Sequence, residues 1–216
     1  MNSTDLLEQF RSDLNDLEEP YLWSDKEILG YMNDAQRMFC RLVGGIGDVS
    51  SPFTRLEYTP ASDWIATSPL ILKYRNATDL ATGRQIDIWN EEDMRSRGIR
   101  FNGVPGRVQR LVIGMEEHRA RLHNFPAQAG TIQISVERLP LAKIDAPDQE
   151  FEIDEQHHEH LGLWMSYRAY SKQDAETFDR TKSAEFKLKF ELYCFEAAAE
   201  RARAQSKIRV VRYGGI

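Results

Sequence analysis

The feature that most constrains the fold is a change of hydrophobic period within the chain. On both sides of a central section, apolar residues recur every three or four positions, which is typical of amphipathic helices. From about residue 49 to residue 142, prolines and glycines instead separate short apolar runs, several of which alternate apolar with polar side chains. The clearest alternation sets Ile132, Ile134, Val136 and Leu139 against Thr131, Gln133, Ser135 and Glu137.

These blocks predict an α+β fold with helices at both ends and strands in the middle. The N- and C-terminal helices would form a helical bundle over residues 1–48 and 150–205. Residues 49–149 would form an inserted antiparallel β-sandwich or small barrel, and residues 206–216 an extended C-terminal tail. With 216 residues, of which 41% are hydrophobic, the chain can bury one large core or two small ones.

Helical spacing and capping residues position three of the predicted helices. The first spans residues 3–17, with Ser3 or Thr4 as its cap. Another begins after Asp154 and continues to about Ser171. The last covers about residues 180–204, with an apolar stripe of Ala184, Leu188, Leu192, Phe195 and Ala199 that is widened by Phe186, Phe190 and Tyr193.

The start of the second helix has the most specific local signal. Ser24 and Glu27 have the spacing of a capping box, and Trp23 directly before them is placed to act as a hydrophobic staple. The helix should end near Gly44. Its predicted apolar stripe is Ile28, Tyr31, Met32, Ala35, Phe39 and Leu42.

Three histidines, His157, His158 and His160, form the densest group of potential metal ligands. Glu155 and His158 have the Glu-x-x-His spacing of di-iron carboxylate bundles, but such a site needs a second Glu-x-x-His and two further carboxylates. The zinc-protease pattern His-Glu-x-x-His is absent. Two interpretations remain: a metal-dependent enzyme built on the three histidines, or histidines that pack and cap within a helix. The missing ligands favour packing, so no catalytic, cofactor-binding or metal-binding residue is predicted.

A group of arginines surrounds the predicted turn at residues 103–106 with no acid among them. Arginine binds phosphate and carboxylate alike, so this group suits a DNA path or an acidic partner. A solvated face paired with Glu116 and Glu117 is the alternative. No nucleophile elbow, Walker A loop or dinucleotide-binding glycine motif occurs in the chain. The five arginines are Arg95, Arg97, Arg100, Arg107 and Arg110.

The two ends of the chain differ in charge. Residues 1–34 contain nine acidic side chains against Arg11 and Lys26, whereas residues 201–216 contain five basic side chains and no acid. The basic end suits strand addition or groove binding on a partner or a neighbouring copy, and a frayed chain end is the alternative. The predicted contact residues are Lys207, Ile208, Arg209, Val210, Val211, Arg212 and Tyr213.

Composition restricts the remaining function classes. The net charge of −6 argues against a general nucleic-acid-binding protein. No apolar run approaches the roughly 18 residues needed to cross a bilayer, and the first residues do not resemble a signal peptide. We therefore expect an intracellular product. Cys40 and Cys194 form no metal-binding or disulfide pattern, and we expect both to be reduced and buried.

Three blocks of sequence together resemble the phage head-to-tail adaptor, or neck, proteins. They span residues 20–41, 135–145 and 152–179. The matching residues in the first block are Trp23, Ser24, Asp25, Glu27, Asn33, Asp34, Ala35 and Gln36. Those in the second block are Arg138, Leu139, Pro140 and Leu141. Those in the third block are His158, Leu161, Trp164, Ala169, Tyr170, Asp174 and Glu176.

This resemblance implies a structural virion protein without an enzymatic role or a cofactor. It implies a ring of about a dozen copies under a portal protein, in which each copy presents two different faces. The ring would extend the DNA channel without sequence-specific binding and give a platform to a downstream tail or nozzle protein. The protein would be made in the host cytoplasm and then occupy the head-tail interface. The packing motif implied for the helices comprises Trp23, Asp25, Glu27, His158, Leu161, Trp164 and Tyr170.

Overall fold

The computed structural model describes residues 1–101, 103–173 and 177–206, and it mixes helices with strands. The chain divides into two compact units, one of Met1–Val43 with Ala142–Ile216 and the other of Gly44–Leu141. The helices are α1 (Ser3–Asp13), α2 (Asp25–Val43), α3 (Glu91–Ser96), α4 (His158–Ser171) and α5 (Arg180–Gln205). The strands are β1 (Ile46–Asp48), β2 (Arg55–Tyr58), β3 (Trp64–Ala66), β4 (Ile71–Asp79), β5 (Gln85–Asn90), β6 (Pro105–Gly106), β7 (Arg110–Glu116), β8 (Arg119–His123), β9 (Phe125–Pro126) and β10 (Gly130–Arg138).

Helix α1 is shorter than predicted and has a different cap. The side chain of Asn2 accepts a hydrogen bond from the Asp5 backbone, and the Asp5 side chain accepts one from the Asn2 backbone, so the cap lies one residue before Ser3. The helix ends at Asp13, and Asn15 adopts a left-handed conformation with φ of 54°. The prediction of a helix to residue 17 is therefore wrong, because the chain turns at Asn15 and leaves Leu17 61% exposed.

Helix α2 begins and ends as its sequence predicts. The Ser24 backbone N–H and hydroxyl both donate to the Glu27 carboxylate, which completes the predicted capping box. The helix ends at Val43, next to Gly44 with φ of 109°. Leu42 is the exception to the predicted stripe, since its side chain is 44% exposed.

Helix α5 has the predicted length but buries a different face. The predicted apolar stripe is wrong, because Leu188, Leu192 and Phe195 are 67%, 58% and 73% exposed. The buried residues are Ser183, Phe190, Cys194 and Ala197, of which Phe190 belongs to the predicted apolar face. Three of these four side chains are small, which allows close approach of the neighbouring helix, and the Phe190 ring lies 5.1 Å from the Trp164 ring on α4.

In the second unit, eight of the described strands form one sheet with the order β1-β10-β4-β5-β7-β8-β3, and β2 also pairs with β10. Strand β10 pairs along one edge with β4 and along the other with β2 and then β1. The expectation of purely antiparallel pairing is wrong, because β6 and β9 run parallel in a separate two-stranded sheet and β5 and β7 run parallel in the large one. For β5 and β7 the reason is that the connection through α3 returns the chain to the same end of the sheet, as parallel pairing requires.

The alternation in β10 defines the core of this unit. Ile132, Ile134 and Val136 are fully buried and pack with residues of β5, β7 and β8. Burying these branched side chains on one face fixes the register, because a shift of one residue would expose all of them. Glu137, expected on the polar face, is also buried and accepts a hydrogen bond from Arg75 at 2.5 Å.

Candidate functional site

The predicted packing residues lie where α1, α2 and α4 meet. Trp23 is 1% exposed, and its ring lies 5.9 Å from that of Phe10 and 6.2 Å from that of Tyr170, in edge-to-face geometry. Leu161 is fully buried, and Trp164 is 6% exposed. Large rings packed in this way give the first unit much of its buried apolar surface.

A buried arginine organises the turn between α1 and α2. Arg11 donates to the Asp16 carboxylate at 2.6 Å, to the Asp25 carboxylate at 2.6 Å and to the Trp23 carbonyl oxygen at 3.0 Å. Asp16 also accepts from the backbone N–H of Leu22 at 2.8 Å. Asp25 was predicted as part of the packing motif, but Arg11 and Asp16 were missed. In the sequence, the one indication of this ion pair is that Arg11 directly follows Phe10, which lies on the apolar face of α1.

Polar contacts also join α2 to α4. Asp34 accepts a hydrogen bond from the Trp164 indole at 2.8 Å and is paired with Arg168. Glu27 is paired with Lys172 at 2.8 Å. The hydrogen bond from Lys172, with those from Ser24, lowers the pKa of Glu27 from its ordinary value of 4.5 to about 2.

We expect Glu27→Gln to reduce the pH dependence of the first unit's stability. Because the folded-state pKa of Glu27 is depressed, the stability it contributes is fully present above pH 4.5 and is lost as the pH falls towards 2. At pH 7 the free energy of unfolding of the wild type should exceed that of the variant by about 1 kcal/mol or less, since the Glu27–Lys172 pair is partly exposed. Urea unfolding at pH 7, 4.5 and 2.5, followed by tryptophan fluorescence, measures the difference.

The control for this series is Glu8→Gln on the exposed side of α1. Glu8 has no ion pair with any described residue, so its substitution should leave the shape of the stability curve unchanged. If the difference in free energy of unfolding between the wild type and Glu27→Gln were the same at pH 2.5 as at pH 7, the ionised Glu27 carboxylate would not be its source, contrary to the prediction.

Each of the three clustered histidines has its own surroundings. His158 is 6% exposed, with Nε2 at 2.8 Å from the Ile153 carbonyl oxygen and Nδ1 at 3.0 Å from that of Met1. His157 lies 2.6 Å from the Tyr193 hydroxyl, and burial lowers its pKa. The His160 ring stacks on that of Tyr193, with centroids 3.6 Å apart.

The segment before these histidines also departs from its predicted form. Residues Glu155–His157 form one 3₁₀ turn, and α4 begins only at His158. Asp154 precedes the turn, but its side chain makes no capping hydrogen bond. Across residues 1–101, 103–173 and 177–206, no three His, Cys, Asp or Glu side chains are grouped closely enough to hold a metal ion. Cys40 and Cys194 are buried, as predicted, and burial raises the pKa of Cys194 to about 12.

The structure brings together two of the five predicted arginines. The guanidinium carbons of Arg97 and Arg110 lie 4.5 Å and 4.4 Å from the ring centroid of Trp89. Arg110 Nη1 also lies 3.1 Å from Nδ1 of the buried His123, whose pKa is lowered by burial and by this cation. Arg95 is instead paired with Glu91 at 2.9 Å.

The other two arginines of the predicted group do not contact Trp89. Two further arginines that the sequence analysis did not predict lie over another tryptophan. Arg100 is exposed, and Arg107 donates to the Thr82 hydroxyl at 3.4 Å. Arg121 and Arg119, which the sequence did not single out, lie over Trp64 on β3. They are paired with Asp63 and Glu116. The alternation of β8 was the signal that could have placed them on one face.

The predicted contact residues Lys207, Ile208, Arg209, Val210, Val211, Arg212 and Tyr213 lie outside the described residues. The same holds for Asp174 and Glu176 of the third motif block. None of the described helices combines the length and apolar character needed to cross a bilayer.

Comparison with known proteins assigns the chain to a family. The model of the family described as SU10 adaptor protein matches residues 1–212. The chain therefore belongs to the SU10 adaptor protein family, which is a phage head-to-tail adaptor family. This confirms the assignment predicted from the three motif blocks. A search of curated protein sequences gave no match.

Proposed function

We propose that this protein is a structural component of a phage virion that joins the head to the tail. The observation that carries the proposal is the family match, which covers residues 1–212 and thus both units. The interior of the first unit supports it, because Arg11, Asp34 and His158 are all engaged in contacts that hold helices and turns together. A protein of this kind needs no catalytic residue and no cofactor.

The protein acts as a ring that docks on the portal after DNA packaging. About a dozen copies close the ring, so each copy presents two different faces to its neighbours. The opposite charges of residues 1–34 and 201–216 support a head-to-tail contact of this type. The ring extends the DNA channel, through which DNA passes without sequence-specific binding, and its far side receives a downstream tail or nozzle protein.

The parts of the chain divide this work between them. Residues 1–48 and 150–205 act as a helical bundle, and residues 49–149 as a β-rich insertion that forms a sandwich or small barrel. The extended tail at residues 206–216 contacts the portal or a neighbouring subunit. The Arg95–Arg110 group contacts DNA in the channel or an acidic partner. The position of Arg97 beside Trp89, with no ion pair to any described residue, supports this role. The protein is made in the host cytoplasm before it joins the virion.

Mixing the purified protein with its portal protein tests the proposal. Light scattering should show a complex that is larger than either component, and cryo-electron microscopy should show a ring of this protein on one end of the portal. Each component alone is the control. A protein that stays monomeric in the mixture and leaves the portal bare would overturn the proposal.

A further inference from the structure

A groove in the first unit has no occupant among the described residues. It lies between α1, α4 and α5, has a volume of about 670 Å³ and is open to solvent. Helix α1 contributes Gln9 and Asp13 to its wall. The lining residues of the other two helices are Glu159, His160, Gly162, Leu163, Ser166, Phe186, Lys189, Leu192, Tyr193 and Glu196.

The groove has an apolar floor with room for side chains. Leu192, on its α5 wall, is 58% exposed, and Leu163 and Phe186 are only partly buried. Apart from its neighbours and the nearby backbone of its own helix, no atom of the described residues lies within 4 Å of the position that a Cβ would take at Gly162. Exposed apolar side chains around a concave surface are typical of a site for a ligand or a peptide.

One polar atom in this groove lacks a partner. Nδ1 of His160 is buried, and it has no hydrogen bond to any of the described residues. The His160 ring is stacked on that of Tyr193, with an angle of 3° between the planes. Because this nitrogen is not accessible to solvent, it adds no hydrogen bond to an occupant of the groove.

The rim of the groove is acidic. Asp13, Glu159 and Glu196 form no ion pair with any described residue. The one lining cation, Lys189, is neutralised by Glu185 at 2.6 Å. The groove therefore suits a segment that carries positive charges next to apolar side chains.

Residues 207–213 of the chain have this composition. The sequence Lys-Ile-Arg-Val-Val-Arg-Tyr contains three cations, no acid and four apolar or aromatic residues. Extended at about 3.3 Å per residue it spans about 23 Å. The groove along α5 from Phe186 to Glu196 is about 15 Å long at 1.5 Å per residue. The segment is long enough to occupy the whole groove.

We infer that the groove of one copy binds residues 207–213 of a second copy. A segment that returned to its own groove would have to reverse direction at the end of α5. Between Arg203 and Tyr213 the one residue of the types that favour such a turn is Ser206, and its backbone is extended, with φ of −70° and ψ of 129°. The inference rests on the proposed ring, because a cyclic assembly supplies the neighbouring copy, and it specifies one of the contacts in that ring.

A labelled peptide with the sequence of residues 205–213 tests the groove without a ring or a portal. Full-chain protein should raise the fluorescence anisotropy of the peptide. Gly162→Leu should weaken this binding by about tenfold or more, because the new side chain occupies the space that an interface anchor needs. Leucine favours a helix over glycine, so Gly162→Leu should also unfold at a higher temperature, and lost binding would not be due to unfolding.

The matched control is Gly30→Leu. Gly30 is also within a helix, and beyond the nearby backbone of that helix its Cβ position has no atom of the described residues within 4 Å. It lies on α2, which does not line the groove. This variant should bind the peptide as the wild type does. The absence of peptide binding, or equal binding by Gly162→Leu and Gly30→Leu, would overturn the inference.

A photo-crosslinking residue in place of Val210 in the full chain separates the two possible sources of the segment. Irradiation should give covalent dimers, with the crosslink in the peptides that contain Gly162 or Leu192. Crosslinks within single copies only, or crosslinks to other surfaces, would overturn the assignment to a second copy. The mixture with the portal protein is a separate measurement. Ring formation on the portal without peptide binding would exclude the groove contact and leave the adaptor role intact. Peptide binding without portal binding would exclude the adaptor role and leave the groove contact intact.

Discussion

Asp16→Ala is expected to lower the free energy of unfolding of the first unit by about 3–5 kcal/mol, because it removes one partner of a buried ion pair. The Asp16 side chain is 2% exposed and that of Arg11 is 7% exposed. The substitution removes the buried anion that pairs with the Arg11 guanidinium, and it also leaves the Leu22 backbone N–H without that acceptor. Urea unfolding followed by far-ultraviolet circular dichroism measures the loss.

Asp25→Ala is the matched control, since Asp25 pairs with the same guanidinium at the same distance of 2.6 Å. The Asp25 side chain is 68% exposed. Its removal should cost about 1 kcal/mol or less, as for other solvent-exposed pairs. Equal losses from the two variants would show that burial does not distinguish the two contacts, contrary to this prediction.

His158→Ala is expected to lower the free energy of unfolding by about 3–5 kcal/mol, which combines a cavity of aromatic size with lost hydrogen bonds. The ring packs 4.8 Å from that of Phe151 and bridges the carbonyl oxygens of Met1 and Ile153. It thereby ties the start of α4 to the N-terminus of the chain. Thermal unfolding of the variant and the wild type provides the comparison.

The same variant decides between the packing and metal interpretations of the histidines. His157→Ala is the control, because the His157 ring is less buried. Its loss should cost about 1–2 kcal/mol through the hydrogen bond with Tyr193 and the ring contacts with Phe39 and Tyr193. Elemental analysis of protein purified without chelator should show no stoichiometric metal in any of the three forms. Stoichiometric metal in the wild type that both variants lose would instead support a metal-dependent enzyme.

Local signals predicted parts of the fold because their partners are only two to four residues apart. The Ser24–Glu27 box set the start of α2, and the alternation from Ile132 to Val136 set the buried face of β10. The motif blocks led to the correct family. The α5 stripe failed for a physical reason: the helix carries apolar residues on more than one side, so packing against α4 selects the buried side.

The groove is a second feature that sequence patterns along a single helix could not predict. Glu159, Leu163 and Glu196 each appear as ordinary helix-surface positions in the sequence. Their convergence depends on how α1, α4 and α5 pack, and spacing along one helix does not contain that information. Tyr193 is similar, since its stacking with His160 joins residues of two different helices.

The sequence alone determined the two kinds of secondary structure, the main helix boundaries in α2 and α5, and the family, because these depend on short-range patterns and on motifs in a consistent order. The tertiary structure alone decided where α1 ends, which face of α5 is buried, how β5 pairs with β7 and what each histidine contacts. The physical reason is distance along the chain: Trp164 finds Asp34 across 130 residues, and His158 finds Met1 across 157. Such partners are selected by the packing of whole elements, which short-range patterns do not encode.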